Sequence, residues 1–213
     1  MSSVPKSYAE ETASYKWSIT RDDYNKRVRV DDFYGNVHDV ITTALKKAEE
    51  WQCEKLIIKV RNEDLSAFIE KGFILEAMVD KYFSGNTMYF MCMYLSAERR
   101  KSNTWTEDNK ILANVIETAV SNKKKQAPLP NQLKLKICDA DDSSSLAQLY
   151  DTVFKVYPVP MNDERYVKKS IESGNIFLAF FDGDKAISAV CGEVNAQYSN
   201  AEITDCATLP EFR

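Results

Sequence analysis

The sequence predicts a chain of mixed α/β (α+β) class, because helical and strand patterns alternate along it. Residues 37–51 carry apolar side chains at the spacing of one helix face. Residues 55–60 and 176–181 are short apolar runs with the length of buried strands. Residues 123–132 interrupt both patterns with a basic run and two prolines. These observations favour two α/β parts joined by a linker.

In the N-terminal part, the first predicted strand is residues 27–33, where charged and apolar side chains alternate. A helix follows, and its apolar face comprises Val37, Val40, Ile41, Ala44, Leu45, Ala48 and Trp51. Residues 55–60 form the next strand, which is short and rich in β-branched side chains. The helix at about residues 65–69 ends at Gly72, since glycine readily adopts the left-handed conformation found after helix ends.

Two further strands are predicted at residues 73–78 and 88–95, with a turn at residues 84–86 between them. A last helix is predicted at about residues 106–120. Its apolar side chains are expected to face the protein interior, and they are Ile111, Leu112, Val115, Ile116 and Ala119.

The compositional break at residues 123–132, KKKQAPLPNQ, has no hydrophobic period and is predicted to be a linker. We therefore predict an N-terminal α/β domain at residues 1–122 and a second domain at residues 133–213. The second domain opens with a strand at residues 133–137 and a helix whose apolar face comprises Leu146, Leu149, Tyr150, Val153, Phe154 and Tyr157.

The remainder of the second domain is predicted as one helix and three strands. The helix spans about residues 163–173, and the strands are residues 176–181, 186–194 and 201–209. Asp182-Gly183-Asp184 is a hairpin signal between the first two strands. The last strand would leave an unpaired edge, which a stable domain normally covers.

Composition restricts the classes of function. Apolar residues make up 44% of the chain and charged residues 28%, as in ordinary globular proteins. The net charge of −4 gives no basic face for nucleic acid. No signal peptide precedes residue 15, and no apolar run approaches the ~20 residues that span a bilayer. We expect a soluble, cytoplasmic protein without nucleic-acid or membrane partners.

Cysteine and histidine usage argues against a metal site. The five cysteines are an odd number without any C-x-x-C pair, and His38 is the one histidine. We expect the cysteines to be buried free thiols of a reducing compartment. Cys206 is interpreted as a small core residue, since no histidine lies nearby to activate it as a nucleophile.

The end of the chain carries a family resemblance. Residues 201–213, AEITDCATLPEFR, resemble the strand that leads into the cofactor-phosphate loop of acetyl-CoA-dependent N-acetyltransferases of the GNAT superfamily. The β-α-α-β-β-β order of residues 133–213 is similar to the first half of the GNAT fold. By this resemblance Arg213 opens the phosphate loop, so we expect a GNAT-like fold that is incomplete at the C-terminus. We also expect this fragment to be inactive by itself.

A narrower resemblance is to the beta-lysine N-acetyltransferases, which acetylate the terminal amine of beta-lysine to make the osmolyte Nε-acetyl-beta-lysine. It rests on residues 153–160, VFKVYPVP, and on residues 200–213. The resemblance extends into the N-terminal part of the chain, at residues 59–64, 82–85 and 89–91. Residues 55–95 also resemble the second half of a GNAT domain, which leaves two readings of the N-terminal domain: a degenerate GNAT-like unit, or an α/β domain with an ordinary turn.

Amine acetylation needs a proton acceptor, because a primary ammonium with a pKa of ~10.4 is not nucleophilic until it is deprotonated. Glu202 matches the position of the catalytic glutamate in histone-type relatives. Asp205 lies three residues further on and is expected on the opposite sheet face. We favour Glu202 as the base, with Asp205 as an alternative base or as a partner for the cationic end of the substrate. Either acid is otherwise a solvated strand residue.

The resemblance also implies binding residues. It implies acetyl-CoA as co-substrate, with the backbone amides of Cys206, Ala207, Thr208 and Leu209 near the pantetheine and the acetyl carbonyl, and Arg213 near the phosphates. Tyr157, Asp163 and Tyr166 lie where GNAT proteins place substrate-binding loops, and an aromatic and acidic set suits an aliphatic ammonium. The simpler alternative is that the two tyrosines pack the helices together.

Two rival functions remain open at this stage. One is a GNAT enzyme that acts on another small amine, such as a polyamine, or on a protein N-terminus. The other is a non-catalytic ligand-sensing or dimerisation module, in which the chain associates as a homodimer without transferring acetyl groups.

Overall fold

The computed structural model describes residues 5–122 and 132–213, which contain two β-sheets with helices. The strands of the first sheet are Lys6–Glu11 (β1), Tyr15–Asp22 (β2), Arg27–Gly35 (β3), Lys55–Val60 (β4), Ile74–Phe83 (β5) and Asn86–Tyr94 (β6). The helices of this part are Val37–Glu50 (α1), Leu65–Glu70 (α2), Ala97–Arg100 (α3) and Trp105–Asn122 (α4).

The second sheet follows in the C-terminal part of the chain. Its strands are Lys134–Ile137 (β7), Ile176–Asp182 (β8), Lys185–Asn195 (β9) and Asn200–Thr208 (β10). Its helices are Ser143–Val153 (α5) and Glu164–Glu172 (α6). The strand order is β1-β2-β3-β4-β6-β5 in the first sheet and β10-β9-β8-β7 in the second. A mixed α/β architecture is therefore confirmed.

The first sheet is built around helix α1, which connects the parallel strands β3 and β4. The Asn36 side chain caps this helix by accepting from the backbone N–H groups of His38 and Asp39. The apolar face predicted from the sequence is confirmed, because the helix buries Val40, Ile41, Ala44 and Ala48. These side chains and those of the sheet form one hydrophobic core. Removal of their apolar surface from water stabilises the fold.

Strands β1 and β2 lie in a segment for which the sequence analysis proposed no structure. The signal was present in β2, where Tyr15, Trp17 and Ile19 alternate with polar residues and are buried. Strand β1 pairs antiparallel with β2 and is mostly exposed, so its polar sequence reflects an edge position.

The prediction for helix α4 was correct in position and wrong in orientation. Its apolar residues Ile111, Leu112, Val115 and Ile116 are all exposed. A hydrophobic period shows that one helix face is apolar, but it does not show that another part of the same chain covers that face.

In the second part, helices α5 and α6 pack on one face of the sheet. Leu146, Leu149 and Tyr150 of α5 are buried against Phe177 and Cys191 of the strands. Asp163 caps α6 by accepting from the backbone N–H of Arg165. The predicted strands and both helices of this part are present, and β10 begins and ends one residue before the predicted bounds.

A buried polar cluster joins the turn between β9 and β10 to the first sheet. One terminal nitrogen of Arg61 lies 2.8 Å from each of Asp32 Oδ1, Tyr34 Oη and Tyr198 Oη, and the other donates to the Phe33 carbonyl at 3.0 Å. The Tyr198 hydroxyl also donates to Asp32. Because Arg61 is only 8% exposed, its charge depends on these partners for compensation.

The division into domains at residues 1–122 and 133–213 stays a prediction, and most of the predicted linker lies outside the described residues. No helix in the described ranges has both the length and the apolar character needed to cross a membrane.

Replacing Asp32 by alanine is expected to lower the free energy of unfolding by about 3 kcal/mol, because a buried guanidinium loses its counter-charge. Asp23→Ala is a matched control, since Asp23 pairs with Arg21 at an exposed site and its loss should change stability little. Urea unfolding of both variants gives the comparison. Equal effects of the two substitutions would show that the Arg61 cluster contributes no more than a surface ion pair.

Candidate functional site

The candidate site is formed where strand β10 departs from regular pairing. Thr204 lies opposite Cys191 and Ala207 lies opposite Ala189, so two residues of β10 face one residue of β9. The extra residue is a β-bulge, and Asp205 has a φ of +51° in it. Strand β10 is also the edge of its sheet. A bulge at an edge re-aims side chains and leaves peptide groups available.

After the bulge, some backbone N–H and C=O groups are hydrogen-bonded to β9 and others point away from it. The Leu209 N–H donates to the Ile187 carbonyl at 2.9 Å, so it is already bonded. Because pairing alternates along an antiparallel ladder, the N–H and C=O of Thr208 point away from β9. The Thr208 carbonyl accepts from Arg213 Nε at 3.0 Å. Of the four amides implied to bind the cofactor, the Thr208 N–H is thus directed outward and the Leu209 N–H is not.

Asp205 is held at the bulge by a tyrosine from the loop after α5. The Tyr157 hydroxyl donates to Asp205 Oδ1 at 2.5 Å, and Asp205 is only 8% exposed. The Tyr157 ring stacks on Phe154 with 4.5 Å between ring centroids. Burial raises the pKa of Tyr157 above its ordinary value, and the bond to Asp205 raises it further. Tyr157 therefore stays protonated at neutral pH and fixes the orientation of the carboxylate.

The expectation that Glu202 and Asp205 lie on opposite sheet faces is wrong, because the inserted bulge residue changes the alternation. Glu202 lies directly opposite Glu193, and residues opposed in this way share a face. Cys191 is two residues before Glu193, so it lies on that face too, and the charge of Asp205 contributes to the raised pKa of its buried thiol. The structure thus brings three carboxylates to one face, on which Glu202 is exposed.

Glu193 is a site residue that the sequence analysis did not identify. Its side chain is exposed to solvent, and partial loss of hydration at the carboxyl raises its pKa above the ordinary value. The charges of Asp205 and Glu202 raise it further, whereas those of Arg29 and Lys59 offset part of the effect. An acidic residue in an otherwise apolar predicted strand was the available signal, but its partner depends on a register that the sequence pattern does not define.

The other implied substrate residues occupy different surroundings. Tyr166 is partly buried, and burial raises its pKa, with further effects of Glu193 and Asp205. Asp163 caps α6 and pairs with the Arg165 side chain at 2.7 Å. Tyr157 and Tyr166 are therefore near the carboxylates, while the Asp163 carboxylate is engaged with its own helix.

The cysteines are free, as expected, and four of the five are buried. Cys206 is exposed, so its interpretation as a core residue is wrong. The bulge explains this, because it turns Asp205 and Ala207 inward and Cys206 outward. Burial raises the pKa of Cys191 to about 12, with contributions from Asp205 and Glu193, so this thiol is inert at neutral pH.

A cleft of about 430 Å³ lies beside the end of β10 and is lined by Ser188, Thr208 and Arg213, among others. It adjoins the outward-facing Thr208 backbone, which fits an extended ligand that binds along the strand edge. In the described part of the chain, no group of three or more His, Cys, Asp or Glu residues is placed to hold a metal ion.

Comparisons with known proteins find relatives among N-acetyltransferases. The chain is 30% identical over 195 residues to the N-acetyltransferase YodP of Bacillus subtilis, which covers 92% of the chain and 70% of that protein. It is 26% identical over 191 residues to a beta-lysine N(6)-acetyltransferase of Methanococcus maripaludis, covering 90% of the chain and 69% of the relative. A beta-lysine N(6)-acetyltransferase of Methanosarcina mazei is 24% identical over 200 residues, covering 85% of the chain and 74% of the relative.

Among solved structures, a tandem GNAT protein from the clavulanic acid biosynthesis pathway is similar in fold. The superposition has a TM-score of 0.50 with 8% sequence identity, and it covers 98% of the chain and 64% of that structure. No protein-family model matches the chain.

The Glu193→Gln variant tests the proximity of the three carboxylates through the pH dependence of stability. A raised pKa in the folded state means that ionised Glu193 disfavours folding. The stabilising contribution of protonated Glu193 is complete below the unfolded-state pKa and is lost as the pH rises through the folded-state pKa. The variant should therefore gain thermal stability relative to the wild type as the pH rises above that range.

Thermal unfolding of both proteins between pH 4 and pH 8 provides the measurement. Glu172→Gln, at the exposed end of α6, is the matched control and should show no such trend. A constant difference between Glu193→Gln and wild type at every pH would contradict the described surroundings of Glu193.

Proposed function

Because the chain belongs to the GNAT N-acetyltransferases, in the family of YodP and the beta-lysine N(6)-acetyltransferases, we propose that it acts in acetyl transfer from acetyl-CoA to the terminal amine of beta-lysine. The observation that carries this proposal is the bulged edge strand β10, which combines an outward backbone with acidic side chains. The product would be Nε-acetyl-beta-lysine, an osmolyte. A cytoplasmic location is part of the same proposal.

The acidic face suits a cationic acceptor. Glu193, Glu202 and Asp205 concentrate negative charge where the amine would bind, and Tyr157 and Tyr166 supply aromatic surface beside them. An ammonium with a pKa of ~10.4 requires about 4–5 kcal/mol for deprotonation at neutral pH, at ~1.36 kcal/mol per pKa unit. A positioned acceptor provides the route by which this proton leaves.

Glu202 is assigned as that acceptor. Its side chain is exposed and has no hydrogen bond or ion pair among the described residues, so it can accept a proton from a bound amine or through water. Asp205 is engaged by Tyr157 and is assigned to hold the cationic end near the bulge. The free amine then attacks the thioester carbonyl directly, with both substrates bound.

Acetyl-CoA would lie along the outer edge of β10. The outward Thr208 N–H is the donor placed to meet it, and the amides of Cys206 and Ala207 border the bulge. Arg213, whose Nε reaches back to the Thr208 carbonyl, is assigned to the phosphate end. When bound there, acetyl-CoA supplies the acyl group, and donors near the carbonyl oxygen stabilise the negative charge that develops on it.

Association with a second copy is a further role favoured by one specific observation. Helix α4 exposes a continuous apolar face that includes Trp105 and Ile116, and the largest exposed apolar faces commonly mark interaction surfaces. A homodimer through this face is compatible with acetyl transfer at β10.

Steady-state acetylation by the full-length protein tests the proposed activity and base. Beta-lysine is expected to be acetylated in preference to putrescine and to a peptide N-terminus, with a sequential kinetic pattern. Glu202→Gln should lower kcat/KM roughly 10²–10⁴-fold, as expected for loss of a general base. Glu172→Gln again serves as the matched carboxylate control.

The assignment would be refuted by a ping-pong pattern, since that requires an acetylated enzyme. Unchanged kcat/KM in Glu202→Gln together with a large loss in Asp205→Asn would transfer the role of base to Asp205.

A further inference from the structure

A cavity of about 200 Å³ lies between the first sheet and the acidic face of the second part of the chain. Its lining includes Arg27 and Arg29 from β3, Asp22 from β2, and Tyr166 and Glu193 from the second part. At roughly 30 Å³ per water molecule, this volume corresponds to about six or seven waters. The cavity is therefore large enough for the polar end of an amino acid.

Arg29 presents unsatisfied donors to this cavity. Its Nε lies 2.6 Å from Asp31 Oδ1 in an ion pair, but neither of these two buried atoms has a hydrogen-bond partner among the described residues. Within residues 5–122 and 132–213, the two terminal nitrogens of Arg29 have no hydrogen-bond partner, and the side chain remains 40% exposed. A guanidinium with unsatisfied donors is suited to bind a carboxylate with two parallel hydrogen bonds.

The neighbouring cation, Arg27, is held by a hydrogen-bonded ion pair. Arg27 Nε lies 2.8 Å from Asp22 Oδ2, and Asp22 also accepts from the side chain and the backbone of Asn25. Arg29 differs from Arg27 in two ways: its ion pair lacks a hydrogen bond, and it is the arginine whose charge acts on Glu193. Arg29 is therefore the cation assigned to a ligand.

Glu193 supplies the opposite charge across the cavity. Both Arg29 and Glu193 line it, and each influences the charge of the other, yet they form no salt bridge among the described residues. A cation and an anion that face one cavity without touching are complementary to a zwitterion that lies between them. Glu193 is also directly opposite Glu202 on the neighbouring strand, which connects the cavity to the proposed base.

We propose that this cavity binds the amino-acid end of the acceptor, with Arg29 binding the carboxylate and Glu193 the neighbouring ammonium. The inference rests on the proposed function and adds to it the residues that would select an amino acid over a polyamine. The aliphatic chain leads from Glu193 toward Glu202 and the bulge, where the terminal amine reacts. Specificity for the carboxylate then comes from the N-terminal sheet, although the chemistry takes place on the C-terminal one.

Calorimetric binding to the chain itself, measured with and without CoA, tests this inference apart from catalysis. The two probes are beta-lysine and 1,4-diaminopentane, which has the same carbon chain and both amines but no carboxylate. Wild type should prefer beta-lysine, and Arg29→Gln should weaken beta-lysine binding roughly 10–100-fold, the range for losing a charge-assisted pair. The same variant should bind 1,4-diaminopentane as wild type does, which also shows that it is folded.

Arg21→Gln is the matched control, because Arg21 pairs with Asp23 away from the cavity, and it should leave both affinities unchanged. Glu193→Gln should weaken both probes, since both carry the ammonium that it contacts. Equal wild-type affinities for the two probes, no binding of either, or an Arg29→Gln variant that binds beta-lysine normally would each overturn the inference.

Failure of the inference and failure of the proposed function are distinguishable. Acetylation of beta-lysine by full-length protein with an unchanged KM in Arg29→Gln would overturn the carboxylate site and leave the activity in place. Arg29-dependent preference for beta-lysine without any acetyl transfer would support the site and refute the activity.

Discussion

The β-bulge at Asp205 is the constraint on which the candidate site depends. A regular strand would place Glu202 and Asp205 on opposite faces, with only one of them available to a substrate. The extra residue turns Asp205 toward Tyr157, keeps Glu202 opposite Glu193, and exposes Cys206. Because β10 is an edge strand, the same irregularity leaves outward backbone groups beside the acids. Donors for an acyl carbonyl and acceptors for an amine proton thus arise from one local feature.

The first sheet places charged side chains of its own next to the acidic face of β10. The cluster of Arg61, Asp32 and Tyr198 ties the β9–β10 turn to the first sheet. Strand β3 carries both Asp32 and Arg29, so the contact that joins the two parts also sets the position of Arg29 across the cavity from Glu193. The N-terminal part is therefore more than an attached unit: it forms one wall of the cavity next to the proposed base.

Sequence patterns predicted the elements well where a hydrophobic period was decisive. The buried face of α1 followed from helical spacing, whereas the position of β10 followed from the family resemblance of residues 201–213. The bulge could not be predicted in this way, because one inserted residue in a strand leaves no periodic signal. Glu193 was missed for a related reason, since its partner is set by strand register. The outward face of α4 shows the same limit, because amphipathicity identifies a face without identifying what covers it.

A carbon-13 NMR titration of the glutamate side-chain carboxyls measures the pKa of Glu193, which reports on the neighbouring carboxylates. We expect Glu193 to titrate above the ordinary range for glutamate, and its pKa to fall in both Glu202→Gln and Asp205→Asn, because each substitution removes a neighbouring negative charge. A Glu193 pKa that is ordinary, or that is the same in wild type and both variants, would contradict the grouping of the three carboxylates on one face.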